Sequence, residues 1–185
     1  MEALFTSITA VAIAEIGDKT QLLALLLACK FRKPLPIIAG IIIATVFNHA
    51  LAAWLGSALQ QWLQPEVLRW LVGLSFIAMA LWVLIPDKIE DQESVLLKYG
   101  PFLASLVLFF IAEIGDKTQV ATVILAAKYD SLSLVILGTT IGMCIANIPV
   151  VLIGKLGVEK LPLKLIHRLT SLLFLSLGLL TIFYQ

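Results

Sequence analysis

The segment Ala14–Gln21 reads Ala-Glu-Ile-Gly-Asp-Lys-Thr-Gln, and the same eight residues return at Ala112–Gln119, 98 positions later. Further identities at this offset include Gly40 with Gly138 and Phe76 with Phe174. Unrelated apolar helices share leucine and alanine by chance, but they do not share an eight-residue run with three charges. We therefore predict two repeats, residues 1–86 and 101–185, joined by an acidic cytoplasmic linker at 87–100.

The composition around these motifs is that of a membrane protein. Hydrophobic residues make up 61% of the chain and charged residues 14%, and the mean hydropathy is +1.04. Soluble domains carry roughly 45–50% apolar and about 25% charged residues. The net charge is +1 and the chain has no basic run, so we do not expect nucleic acid as a partner. The expected partner is the lipid bilayer.

Six segments are apolar enough, over about 20 residues each, to be predicted as transmembrane helices. They run from about Leu4 to Cys29, Pro36 to Ala58, Val67 to Ile85, Pro101 to Ala127, Leu132 to Gly154 and Pro162 to Tyr184. Pro149 lies inside the fifth span and is a candidate kink. The predicted fold class is thus all-α, a polytopic membrane protein with three helices in each repeat.

The basic residues of the short connections predict the orientation. Nine fall on one side of the predicted membrane: Lys30, Arg32, Lys33, Lys88, Lys98, Lys155, Lys160, Lys164 and Arg168. The other side has Arg69 and Lys128. The first side is predicted to be cytoplasmic, which places both termini outside the cytoplasm. We expect a multi-pass protein of the inner (plasma) membrane.

An odd number of spans per repeat forces the second repeat to enter the membrane in the opposite sense. The prediction is an inverted repeat with a pseudo-two-fold axis in the membrane plane, an architecture typical of secondary transporters.

The acidic residues of the two motifs lie near the middle of spans one and four, where a charge costs about 2.5–3.5 kcal/mol. Glu15 and Asp18 share one helix face, as do Glu113 and Asp116, because each pair is spaced i, i+3. The four carboxylates are therefore predicted to meet near the midplane and bind a metal. The supporting residues of the motifs are Lys19, Thr20, Gln21, Lys117, Thr118 and Gln119. Gly17 permits tilt or a local break in the helix, and the sequence does not decide between them.

An all-oxygen ligand set suits hard cations such as Ca²⁺, Mn²⁺ or Mg²⁺. Four carboxylates and two lysines leave a charge of −2, which one divalent cation or two protons would neutralise. We therefore expect metal and protons to compete for the site. Asn48, His49 and Asn147 are polar at similar depth, and an imidazole or amide ligand would favour Mn²⁺ over Ca²⁺. Interhelical hydrogen bonding is the alternative role for them.

The duplicated Glu-x-Gly-Asp-Lys-Thr, at Glu15–Thr20 and Glu113–Thr118, resembles the signature of uncharacterised protein family sixteen. That family includes bacterial manganese exporters of the MneA type and Golgi manganese/calcium transporters. The resemblance implies a cation/proton antiporter that moves Mn²⁺ or Ca²⁺ out of the cytosol, with the four carboxylates as cation ligands. It covers essentially the whole chain, and neither motif departs from the signature.

Two other classes stay open at this point: a passive cation channel, and an intramembrane enzyme that uses carboxylates as acid and base. The chain has no HExxH or nucleophilic serine arrangement, and a catalytic site rarely needs two equal copies, so we do not expect an enzyme. We expect no prosthetic group, with Mn²⁺ or Ca²⁺ as the transported ligand and protons as the counter-ion. A homo-oligomer is possible.

Overall fold

The computed structural model describes residues 1–82, 84, 96–153 and 163–184, and this part of the chain contains helices and no strands. The helices are α1 (Glu2–Glu15), α2 (Lys19–Phe31), α3 (Pro34–Trp62), α4 (Pro65–Trp82), α5 (Pro101–Glu113), α6 (Lys117–Lys128), α7 (Leu132–Ile153) and α8 (Leu163–Tyr184). A 3₁₀ turn at Leu96–Tyr99 precedes α5. The predicted all-helical class is confirmed.

Two of the predicted spans are each divided into two helices. The first span corresponds to α1 and α2, and the fourth to α5 and α6, with the division at the acidic motif in both. The sequence left open whether these spans tilt or unwind at the motif. The structure shows that the helix is broken there. By contrast, α7 continues as one helix through Pro149.

Among the residues that the structure describes, three helices, α3, α4 and α7, are by themselves long and apolar enough to cross a membrane. Pro101–Glu113 and Ser171–Phe183 are shorter apolar helices. The acidic residues of the predicted linker, with Lys88, Lys155 and Lys160, lie outside the described residues. The side chain of Lys164 also lies outside them.

Helices that correspond at the 98-residue offset pack on corresponding neighbours. The α1 helix packs against α7, as α5 packs against α3, and α4 packs against α8. The glycines of these contacts also correspond. A methyl group on Gly40 would lie 2.7 Å from the carbonyl oxygen of Phe102, and one on Gly138 would lie 2.8 Å from that of Leu4. Close helix approach at equivalent glycines thus brings the two motif breaks into the interior.

Candidate functional site

Each acidic motif folds as a helix end, a two-residue turn and a new helix start. Glu15 ends α1, Gly17 has a φ of 84°, and Asp18 is the N-cap of α2. Asp18 accepts a hydrogen bond from the backbone N–H of Lys19 at 2.6 Å, which satisfies a donor that the helix start leaves open. The positive φ explains the glycine, because a side chain at this position would be strained.

The second motif repeats this backbone closely. Glu113 ends α5, Gly115 has a φ of 73°, and Asp116 is the N-cap of α6. The two aspartates have φ, ψ values of −80°, 169° and −81°, 167°. The same eight residues therefore adopt the same local structure in both repeats.

The glutamine of each motif stabilises the break. The backbone N–H of Gly17 donates to Gln21 Oε1 at 2.8 Å, and that of Gly115 donates to Gln119 Oε1 at 2.7 Å. Gln21 Nε2 also donates to the carbonyl oxygen of Ala146 in α7 at 2.9 Å. Gln21 and Gln119 were predicted as supporting residues of the metal site, and in the structure their amide oxygens accept hydrogen bonds from the backbone. The Gly-x-x-x-Gln spacing, similar to that of a capping box, is the signal that was missed.

The carboxylates lie together in the protein interior. Glu15 and Glu113 are fully buried, and Asp18 and Asp116 are each 3% exposed. Glu15 interacts electrostatically with the other three carboxylates, and Glu113 interacts with Asp116. The two motifs, 98 residues apart in the sequence, are therefore neighbours in the fold.

One lysine joins the motifs directly. Lys19 Nζ lies 3.6 Å from Asp116 Oδ1, so a cation from the first repeat pairs with an anion from the second. Lys19 also interacts electrostatically with Glu113. Its side chain is 28% exposed, whereas its counterpart Lys117 is only 4% exposed. The two copies are thus alike in backbone and different in their access to solvent.

The polar residues near the glutamates provide hydrogen bonds. Thr118 Oγ1 donates to Glu113 Oε2 at 2.8 Å, and Asn147 Nδ2 donates to Glu15 Oε1 at 3.2 Å. Asn48 Nδ2 donates to the carbonyl oxygen of Phe110 at 3.1 Å. Both Asn147 and Asn48 therefore make the interhelical bonds that were the alternative role for them.

Several buried polar atoms have no hydrogen bond within the described part of the chain. They include Glu15 Oε2, Glu113 Oε1, Thr20 Oγ1, Asn48 Oδ1, Asn147 Oδ1 and both ring nitrogens of His49. Five of these seven atoms are oxygens, the atoms that hard divalent cations prefer.

The side chains are near neighbours without being a preformed ligand set. Over residues 1–82, 84, 96–153 and 163–184, no three His, Cys, Asp or Glu side chains are placed to hold a metal ion together. At each break the end of one helix carries partial negative charge beside a glutamate, Glu15 or Glu113, and the start of the next carries partial positive charge beside an aspartate, Asp18 or Asp116. The helix starts therefore stabilise the aspartates, whereas the helix ends add negative charge to that of the glutamates.

Comparison with known proteins defines the class. The profile of a family described as "Divalent cation/proton antiporter GDT1" matches residues 3–91 and 101–185, which is most of the chain. The chain therefore belongs to the divalent cation/proton antiporter GDT1 family, and it is a transporter and not an enzyme.

Individual relatives agree with the family. A Vibrio cholerae protein named "Putative manganese exporter" is 59% identical over 185 residues, covering 100% of this chain and 92% of that protein. A rice protein named "GDT1-like protein 3" is 24% identical over 210 residues, covering 99% of this chain and 74% of that protein. An Arabidopsis thaliana protein of the same name is 25% identical over 211 residues, covering 99% of this chain and 71% of that protein. No solved structure matches the chain.

Proposed function

We propose that the chain exports Mn²⁺ from the cytoplasm in exchange for protons, through a site formed by Glu15, Asp18, Glu113 and Asp116. The observation that carries the proposal is the meeting of two identical acidic helix breaks in the protein interior. Burial of four mutually repelling carboxylates destabilises the fold unless a cation or bound protons compensate them. A transported cation would neutralise the carboxylates while it is bound, which gives the buried negative charge a function.

The chemistry of the ligands supports Mn²⁺ first and Ca²⁺ second. Carboxylate, hydroxyl and amide oxygens suit both ions. The Vibrio cholerae relative, which shares 59% of its residues with this chain, is named for manganese. His49 is fully buried beside Asn48, and an imidazole that reaches the ion would favour manganese over calcium.

Proton coupling follows from charge. The four carboxylates and two lysines of the motifs sum to a formal charge of −2 at the site. One divalent cation or two protons would neutralise it, so exchange of one Mn²⁺ for two protons keeps the buried charge constant. Lys19 pairs with Asp116 across the two motifs. We propose that Mn²⁺ displaces this lysine as it binds, and that the four carboxylates converge only at that step.

We also propose six membrane crossings arranged as an inverted repeat, in which α1 with α2 and α5 with α6 each form one broken crossing. The equivalent contacts of Gly40 and Gly138 support a two-fold relation between the halves. Broken helices that meet at a central site are the arrangement used by several inverted-repeat transporters. The distribution of lysine and arginine supports both termini lying outside the cytoplasm, in the inner membrane of a bacterium.

The test is cation flux in liposomes that contain the purified protein, with Mn²⁺, Ca²⁺ and Mg²⁺ compared under an imposed pH gradient. We expect saturable Mn²⁺ flux that depends on the gradient. Glu15→Gln and Glu113→Gln should each reduce the Mn²⁺ flux by about 10-fold or more. Removing a group that only positions a metal ligand already costs about 10- to 100-fold, so removing a ligand should cost at least as much. Asp130→Asn, an exposed acid between α6 and α7, is the matched control and should transport normally.

Three results would contradict parts of the proposal. Flux that is indifferent to pH would remove proton exchange. Flux that rises linearly without saturation would indicate a channel. Loss of activity in only one of the two glutamate variants would show that the motifs do not share a site.

A further inference from the structure

A cluster of polar side chains outside the two acidic motifs joins three helices at one end of the molecule. The Tyr129 hydroxyl is hydrogen-bonded to Glu2 Oε1 at 3.1 Å and to Thr6 Oγ1 at 3.3 Å, which ties the end of α6 to the start of α1. Lys128 Nζ donates to Thr181 Oγ1 at 3.0 Å, which ties the same end of α6 to α8. We call these five residues the latch.

Charge and burial strengthen the latch. Lys128 interacts electrostatically with Glu2, and its ammonium group lies 5.4 Å from the centre of the Tyr129 ring. Burial raises the pKa of the Tyr129 hydroxyl, so the group stays protonated and able to donate at neutral pH. The contacts therefore form one connected polar network between α1, α6 and α8.

The other end of the molecule has no equivalent in sequence. At the 98-residue offset the lysine is kept as Lys30, but the remaining four positions are apolar or lack a side chain: Phe31 for Tyr129, Gly100 for Glu2, Ala104 for Thr6 and Val83 for Thr181. Lys30 is exposed, whereas Lys128 is half-buried. The two repeats thus share the acidic motifs and differ in what holds their helix ends together.

We infer that the latch is the gate that closes the transport path on the side of Tyr129, and that Tyr129 and Lys128 are positioning residues of the transport cycle. This inference rests on the proposed function and adds to it the residues that control access. In an inverted repeat the two sides would otherwise be energetically alike. Because the corresponding positions of the other repeat do not carry this polar network, it favours the state closed on the Tyr129 side as the resting state.

The packing beneath the latch supports a gate. Ala10, one turn below Thr6, is only 1% exposed and belongs to the same buried cluster as Ala121 and Leu125 of α6. This seam leads from the latch towards Glu15. When α1 and α6 separate at the latch, water from that side would reach Ala10.

The test measures that access directly. Ala10→Cys is introduced into protein in which Cys29 and Cys144 are replaced by serine, and a membrane-impermeant thiol reagent is applied to each side of the membrane separately. Adding Tyr129→Phe should increase labelling from the Tyr129 side about five-fold, equivalent to the loss of a hydrogen bond of about 1 kcal/mol. Tyr99→Phe, the same change at an exposed tyrosine, is the control and should change nothing.

Labelling needs no metal, so it succeeds or fails independently of the flux test. A five-fold increase from the Tyr129 side alone supports the gate, even if Mn²⁺ is not the cargo. Equal labelling of the Tyr129→Phe variant and its parent would overturn the inference. A similar increase from both sides would also overturn it, because that result indicates general loosening of the helices.

Discussion

At the scale of single residues, the site depends on a glycine between two acids. Gly17 and Gly115 have φ values of 84° and 73°, which residues with side chains rarely adopt. Each lies between a glutamate that ends one helix and an aspartate that begins the next. The glycine therefore separates the two carboxylates of a motif, which a continuous helix would stack on one face.

Gly115→Ala tests this separation. A methyl group at Gly115 would meet no atom within 4 Å, so the cost comes from the backbone alone. We expect the variant to lose about 1–2 kcal/mol of stability, or roughly 2–8 °C in the midpoint of thermal unfolding in detergent. Gly115→Asn should lose less, because asparagine adopts this conformation more readily. An alanine variant as stable as the parent would show that the break does not need the positive φ.

Residue identities predicted which side chains lie near one another. They did not predict which of these side chains are already engaged in hydrogen bonds or ion pairs. The burial of Glu15 and Glu113 follows from the cost of exposing charge to lipid. The bonds of Gln21 to Gly17 and Ala146 do not follow from composition, since they depend on where the helix breaks. The pairing of Lys19 with Asp116 was equally hidden, because it joins side chains from different repeats.

At the scale of helices, the long apolar segments were predicted and their interruptions were not. Hydropathy identifies α3 and α7 because each is one continuous apolar run. It treats α1 with α2 as a single run, since a two-residue turn does not lower the average over about 20 residues. The local evidence of a break was Gly17, together with the capping signals of Asp18 and Gln21 within the run. Pro149 is the opposite case. The sequence marked it as a candidate kink, but α7 continues through it as one helix.

The contact between α1 and α7 is a prediction at this scale. A methyl group on Gly142 would lie 2.8 Å from the carbonyl oxygen of Ile8 and 2.9 Å from the backbone nitrogen of Ala12. Gly142→Ala must therefore push α1 away, at a cost of about 1–3 kcal/mol, measured as a lower midpoint of thermal unfolding. Ser133→Ala, on the exposed face of the same helix, is the control. Unchanged stability of Gly142→Ala would mean that the helices are not in close contact.

At the scale of the whole molecule, the repeat predicted which helices correspond and the structure shows where they differ. Gly40 and Gly138 make matching contacts, as equivalent positions should. Lys19 and Lys117 occupy identical local sequences, yet one is partly exposed and the other is buried. Local sequence cannot predict that difference, because it is set by the neighbouring helices. We propose that the two lysines exchange environments when the transporter opens to the opposite side.

The central claim is that both motifs bind one ion together, and equilibrium binding of Mn²⁺ to the purified protein tests it most directly. We predict one Mn²⁺ per chain, and a loss of affinity of at least about ten-fold in both Glu15→Gln and Glu113→Gln. Asp130→Asn should bind as the parent does. Two ions per chain, or one glutamate variant that binds Mn²⁺ with undiminished affinity, would contradict a shared site.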